Sequence, residues 1–133
     1  MKLCAGQCKY LIALYHLSRE NSTVKSVDIA KKLSVTRPSV SRMLKCMARL
    51  EFINQDYSSS VILTDKGWDI AENLVNKLYD INMFFRDILK LDESSAYEQS
   101  IQFLAGFPEQ TVERLSQVTS NTMKKRVQKN TEK

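Results

Sequence analysis

Histidine, proline and glycine are scarce in this 133-residue chain, which has one His, two Pro and three Gly. So little glycine leaves few places for the tight turns of an all-β sandwich or for a phosphate-cradling loop, and a mainly α protein is expected. The lone histidine, His16, excludes a His-rich metal cage and makes any Ser-His-Asp or Cys-His mechanism depend on one imidazole. Cysteine is thin as well. Cys4, Cys8 and Cys46 are odd in number and lack the dense spacing of a secreted disulfide scaffold, so reduced thiols are expected. No run approaches the ~20 apolar residues of a membrane span, and MKLCAGQCKYLIALY carries no clear signal-peptide cleavage pattern. The expected compartment is the cytoplasm. No acid–base pair, nucleophile with a partner base or phosphate loop is visible, so an enzyme is not expected.

What is present suits a folded chain, with 43% hydrophobic and 26% charged residues. The charge is unevenly spread. Residues 1–66 hold eleven Lys/Arg against five Asp/Glu, a net +6, whereas residues 67–133 hold nine against ten, a net −1. That asymmetry suggests a polyanion-binding first module, residues 1–66, joined to a second, residues 67–133, with another job and a basic tail.

Helical spacing over residues 3–20 places Cys4, Cys8, Leu11, Leu14 and Tyr15 on one face. Ser26 is expected to cap a short second helix over 27–33, with Ile29, Ala30 and Leu33 inward. A three-residue connection leads to a third helix with Thr36 as cap and Pro38 in its first turn, where the missing N–H costs nothing. Val40, Met43, Leu44, Met47 and Leu50 form its apolar stripe, and Arg37, Ser41, Arg42, Lys45 and Arg49 the opposite face. A helix with a core stripe on one side and a basic, hydroxyl-rich stripe on the other suits insertion into a DNA groove. Strand-like patterning over 52–55 and 61–63, around the polar tip Asp56-Tyr57-Ser58-Ser59-Ser60, predicts a β-hairpin. A long helix from Thr64 to about Lys90, the longest, then leads to helices over 93–107 and 109–125, with the last eight or so residues frayed. The order helix, helix, turn, helix, hairpin is that of a winged helix-turn-helix, here followed by a helical module.

The segment SVDIAKKLSVTRPSVSRMLKCMARLEFINQDYSSSVILTDKGWDIAENL closely resembles the winged-helix domain of the diphtheria toxin repressor family of iron- and manganese-dependent regulators. The resemblance rests on DIA in the second helix, PSVSRML in the third, ILT followed by KG after the wing, and YLIALYHL in the first helix. It is nearest to the short, manganese-sensing branch. The resemblance implies that the third helix is the recognition helix and that Thr36, Arg37, Pro38, Ser39, Ser41 and Arg42 meet DNA. The chemistry of the residues gives the same set plus Lys45, with Arg49 a further candidate on the same basic face: arginine makes bidentate bonds to guanine, a prolyl ring packs on a thymine methyl, and serine serves phosphate or base. Arg42 is the foremost candidate for base readout. Lys25 and Ser26, at the start of the second helix, are candidates to hold a phosphate. The wing tip, with Tyr57, Ser58 and Ser59, would reach the flanking backbone or minor groove, modestly, since none of these is basic.

The family's metal ligands are not retained. The positions that match them hold Lys9, Ile12, Leu78, Ile101, Leu104 and Ala105, none of which ligates manganese(II) or iron(II) under ordinary conditions. No metal cofactor is therefore expected. The reading that follows is a homodimeric transcriptional regulator, expected to be a repressor, that binds a palindromic operator on double-stranded DNA, its metal control lost or replaced. Dimerisation would come from helices beyond residue 76. Two alternatives stand beside it: a winged-helix module for protein interaction or DNA architecture, and a regulator that answers an unidentified organic small-molecule effector. Phe84, Phe85, Phe103 and Phe107 are expected in a core or dimer interface rather than a ligand pocket. Cys4 and Cys8 are expected as buried small hydrophobes rather than a redox or soft-metal site, and His16 as a solvent-facing or capped side chain.

Overall fold

The computed structural model describes residues 2–131. Among these, six α-helices run in order: α1 Ala5–Glu20, α2 Ser26–Leu33, α3 Arg37–Arg49, α4 Asp65–Met83, α5 Glu93–Gly106 and α6 Glu109–Thr131. A π-helical turn, Phe84–Ile88, continues α4. The chain divides into two compact units, Leu3–Leu74 and the residues from Val75 onward, so α4 belongs to both. The mainly α, winged-helix class expected from the sequence is what the chain adopts.

The first unit is built on the apolar faces of its helices. Leu11, Leu14, Ile29, Val40, Leu44 and Met47 are all at or below 1% exposure, joined by Phe52 and Ile53 from the segment after α3. The α2–α3 turn is made by Ser34, which ends α2 in the left-handed conformation at φ 54°. Thr36 caps α3 through its hydroxyl, which accepts from the Ser39 N–H at 3.3 Å, and Pro38 sits in the first turn. Ser26 does not cap α2. It is the first helical residue, Lys25 holds the cap position, and the Asp28 carboxylate accepts the Lys25 N–H at 2.8 Å, because a carboxylate three residues into the helix reaches back to the open end. Likewise α1 begins at Ala5, not Leu3, with Cys4 as its cap.

The expected hairpin is reduced to one antiparallel bridge, Ile53 to Leu63. Its reason is Asn54. The Ile62 N–H bonds the Asn54 side-chain oxygen at 2.9 Å, while the Asn54 amide nitrogen donates to the carbonyls of Asp56 and Ser60 at 2.7 and 3.0 Å. Backbone bonds persist from the Asn54 N–H to the Ile62 carbonyl and from the Thr64 N–H to the Phe52 carbonyl, both 3.0 Å. The side chain takes the Ile62 N–H, however, so pairing stops at one bridge and the rest of the wing is a bonded loop.

The KG of the family resemblance has a structural role. A Cβ built on Gly67 would stand 2.1 Å from the Phe52 carbonyl oxygen and 3.1 Å from Leu63 Cδ2, so only glycine lets α4 approach the wing base. Lys66 Nζ donates to the Leu50 carbonyl at 3.2 Å and lies 5.5 Å above the Phe52 ring. Thr64 accepts the Gly67 N–H at 3.0 Å and donates to the Glu51 carbonyl at 2.6 Å, while Glu51 itself turns the chain at φ 64°.

In the second unit, Leu78, Ile81, Ala96, Ile101, Leu104 and Val112 are buried. The expected continuous helix to Lys90 instead leaves α geometry after Met83. Leu89 N–H reaches back five residues to the Phe84 carbonyl, and Lys90 closes the turn at φ 63°. Asp92 caps α5 by accepting from the Ser95 N–H at 2.9 Å. The tail is not frayed from residue 126: α6 is helical to Thr131, making it the longest of the six. Phe84, Phe85 and Phe103 are half-buried and Phe107 is 48% exposed, so they form a row rather than a closed core. Phe103 stacks on Phe107 at 4.4 Å, and Phe85 meets Phe84 and Phe103 edge-on at 5.7 and 6.1 Å.

Candidate nucleic-acid interface

The apolar stripe of α3 faces the core, so its other face is turned outward. Val40, Leu44 and Met47 are buried, whereas Arg37, Pro38, Ser41, Arg42, Lys45 and Arg49 are exposed and Ser39 is half-buried. Three of these side chains are linked at the start of the helix. Thr36 donates from its hydroxyl to Ser39 Oγ at 2.9 Å, and Arg42 Nη2 donates to the same oxygen at 3.4 Å. This ladder holds the Arg42 guanidinium on the exposed face with donors to spare, since five N–H bonds are available and the ladder uses one. Arg42 also lowers the pKa of the largely buried Tyr10 phenol electrostatically, a smaller effect than the burial that raises it.

Beside this face lies a groove of about 460 Å³ lined by Lys25, Ser26, Val27, Arg37, Val40, Ser41, Leu44, Tyr57 and Ser58. It joins the first turn of α2, the first half of α3 and the wing. Six of the expected residues, Lys25, Ser26, Arg37, Ser41, Tyr57 and Ser58, thus meet in one place. Thr36, Pro38, Ser39, Arg42, Lys45, Arg49 and Ser59 are not part of its lining. The groove has a hydrophobic floor in Val27, Val40 and Leu44, two cations at its rim and four hydroxyls. Such a set suits a sugar–phosphate backbone, with charge for the phosphate and hydroxyl donors for its oxygens.

Sequence reasoning missed the charge at the wing tip. The Asp56 carboxylate accepts from the Ser58 hydroxyl at 2.7 Å and the Ser58 N–H at 3.3 Å, and these bonds hold it below the usual carboxylate range. The wing therefore carries a fixed negative charge beside Tyr57 and Ser58. An Asx turn written Asp-x-Ser is the signal that would have shown it.

At the positions matching the family's metal ligands, Ile12, Leu78, Ile101 and Leu104 are buried and Lys9 and Ala105 half-buried. Among the described residues no three His, Cys, Asp or Glu side chains gather as a metal-binding group. His16 is half-buried, its ring edge-on to Tyr15 at 5.4 Å. No helix of the described residues is long and apolar enough to cross a membrane.

Comparison with known proteins identifies the family. Residues 2–60 match the family described as iron dependent repressor, N-terminal DNA binding domain. Over 107 residues the chain is 30% identical to an uncharacterized HTH-type transcriptional regulator, MJ0568, of Methanocaldococcus jannaschii, covering 80% of this chain and 86% of that protein. Among solved structures, the manganese regulator SloR superposes with a TM-score of 0.76 at 27% identity, over 86% of this chain and 53% of SloR. The hypothetical protein SSo2273 from Sulfolobus solfataricus shares the fold, with a TM-score of 0.64 at 22% identity over 87% of this chain and 88% of its own. The chain therefore spans about half the length of SloR but most of the length of MJ0568 and of SSo2273.

Proposed function

Because the chain belongs to the diphtheria toxin repressor family of winged-helix transcriptional regulators, we propose that it binds a palindromic operator as a homodimer and represses transcription without the family's metal control. The observation that supports this most is the exposed basic face of α3 beside a groove shared by α2 and the wing. In this reading α3 enters the major groove, and Arg42, held by Ser39, reads guanine. Lys45 and Arg49 lie one and two turns further along the helix and meet the phosphates. The groove of Lys25, Ser26, Arg37 and Ser41 seats the flanking backbone. The wing adds little, because Asp56 opposes phosphate there.

The residues present do not fit a divalent metal at the family's positions. Buried Ile12, Leu78, Ile101 and Leu104 offer no lone pair, and a lysine head group is a hydrogen-bond donor rather than an oxygen ligand. The apolar side chains instead extend the core, which is why the DNA-competent form would not wait for a metal. An organic effector is the second reading, favoured by an open groove of about 520 Å³ between Phe85, Phe103 and Phe107, edged by Ser95, Glu98, Gln99 and Gln102.

Fluorescence anisotropy with a duplex from the chain's own upstream region against a scrambled duplex, in chelator and then in manganese(II) or iron(II), tests the proposal. Specific binding in chelator, unchanged by metal, is expected. Arg42→Ala should then cost about 1–3 kcal/mol on the specific duplex. Lys45→Ala should weaken both duplexes alike and lower the salt slope by about 1. Binding that requires metal would overturn the metal-free reading, and equal binding to both duplexes would shift the assignment to an architectural module.

A further inference from the structure

The function above leaves the thiols unused, and they are not the buried pair that helical spacing suggests. Cys8 is 1% exposed and behaves as expected, but Cys4 is exposed, because it stands at the cap of α1 rather than inside the helix. Cys46, from the middle of α3, is half-buried. Gln7 lies between Cys4 and Cys46. Its backbone N–H donates to Cys4 Sγ at 3.5 Å, its side-chain oxygen accepts the Cys4 N–H at 3.0 Å, and its side-chain NH2 donates to Cys46 Sγ at 3.6 Å. The same contact is close-packed next door. A Cβ on Gly6 would stand 3.4 Å from Met43 Cε of α3 and 3.9 Å from Cys4 Sγ.

We propose that Cys4 and Cys46 are a hydroperoxide-responsive thiol pair that closes to an intrachain disulfide and thereby weakens the grip of α3 on DNA. Cys4, the more exposed sulfur, attacks a peroxide oxygen as its thiolate. The O–O bond breaks, and Cys4 becomes a sulfenic acid while the leaving oxygen departs as water or an alcohol. The Cys46 thiolate then attacks the sulfenic sulfur. The S–S bond forms, the S–O bond breaks, and the hydroxide leaves with the thiol proton as water. The two sulfurs together lose two electrons and the peroxide gains them; a dithiol reductant reverses the step by exchange. Cys8, at 1% exposure, is the thiol least open to a peroxide.

An S–S bond of about 2.0 Å leaves no room for the Gln7 amide between the sulfurs, so closure strips Cys46 of its donor and Cys4 of its cap. The helix that carries Cys46 also carries Arg42 and Arg49 one turn to either side, so a bond that ties Cys46 to the start of α1 constrains the segment that presents both arginines. The effect on DNA rests on the regulator reading above; the thiol chemistry does not.

The test treats the full chain with hydrogen peroxide, alkylates the remaining thiols and maps any bond by mass spectrometry under non-reducing conditions. Loss of two thiols as a Cys4–Cys46 link is expected, retained in Cys8→Ser and abolished in Cys4→Ser and in Cys46→Ser. No thiol loss, a link to Cys8 or a link between chains would overturn the pair. Anisotropy on the same samples reads the second half: oxidised chain should bind its duplex roughly tenfold more weakly, with dithiothreitol restoring affinity and Cys46→Ser insensitive to peroxide. A mapped disulfide with unchanged affinity would overturn the coupling. A reduced chain without specific binding would count against the regulator reading, while the thiol map still decides the pair.

Discussion

The two units solve the same problem, how to end a helix, with different thoroughness. In the first, side chains meet the backbone at nearly every join: Asp28 at α2, Thr36 at α3, Thr64 between the wing and α4, Lys66 at the Leu50 carbonyl, and Asn54 across the wing. In the second, Asp92 caps α5, yet α4 slips into a π turn, and Asn82 Oδ1 and Thr119 Oγ1 are buried with no hydrogen-bond partner among the described residues. The first unit is stiffened by polar work done locally, which leaves its basic side chains facing outward on a rigid frame. The second relies more on packing and carries its charge on exposed helix faces. Local polar bonding is concentrated in the unit that carries the basic face of α3.

Breaking this contrast takes one glycine in each unit. Gly67→Ala drives a methyl into the Phe52 carbonyl and should cost about 3 kcal/mol, read as a lower denaturant midpoint. Gly106→Ala meets nothing within 4 Å and should be neutral or stabilise by about 0.5 kcal/mol. Equal losses at both would deny that the first unit is the tightly fitted one. A smaller effect is expected at Thr119, fully buried in α6 with an unpartnered hydroxyl. Thr119→Val replaces that hydroxyl by a methyl of similar shape and should raise the unfolding free energy by about 1 kcal/mol, read as a higher midpoint. A loss there would mean that the hydroxyl has a partner.

The smallest effect is that of pH. Asp56 and Asp92 each sit below the ordinary carboxylate value of 3.8 because they accept hydrogen bonds, from Ser58 and from Ser95. A carboxyl depressed in the folded state contributes stability above its unfolded value and loses it as pH falls through the folded one. Acid should therefore release the wing tip and the start of α5 only below that value. Asp92→Asn should flatten a stability–pH titration there slightly, while leaving neutral behaviour nearly unchanged.

Much of the fold was legible because its signals are local. Thr36 with Pro38, the apolar stripe of α3 and the Pro108 break depend on residues within a turn or two, and they appear where the spacing places them. The basic face of α3 was legible for the same reason, since burial of one stripe turns the other outward. The hairpin was not. Strand-like residues at 52–55 and 61–63 signal strands, but the Asn54 side chain takes the Ile62 N–H that would extend the pairing, and nothing in the pattern reveals that competition. The cap of α2 was misplaced by one residue because Ser26 and Asp28 both suit a helix start, and the carboxylate wins from inside the helix.

The sequence by itself determined the helix order and the basic face, since periodicity and charge need no third dimension. Only the tertiary structure decided that Lys25, Ser26, Arg37, Ser41, Tyr57 and Ser58 share one groove, that Gly67 is irreplaceable, and that Gln7 joins Cys4 to Cys46. These are relations between residues up to 39 positions apart along the chain. Which side chains meet over such separations is set by how the helices pack, and packing is a property of all the apolar stripes together.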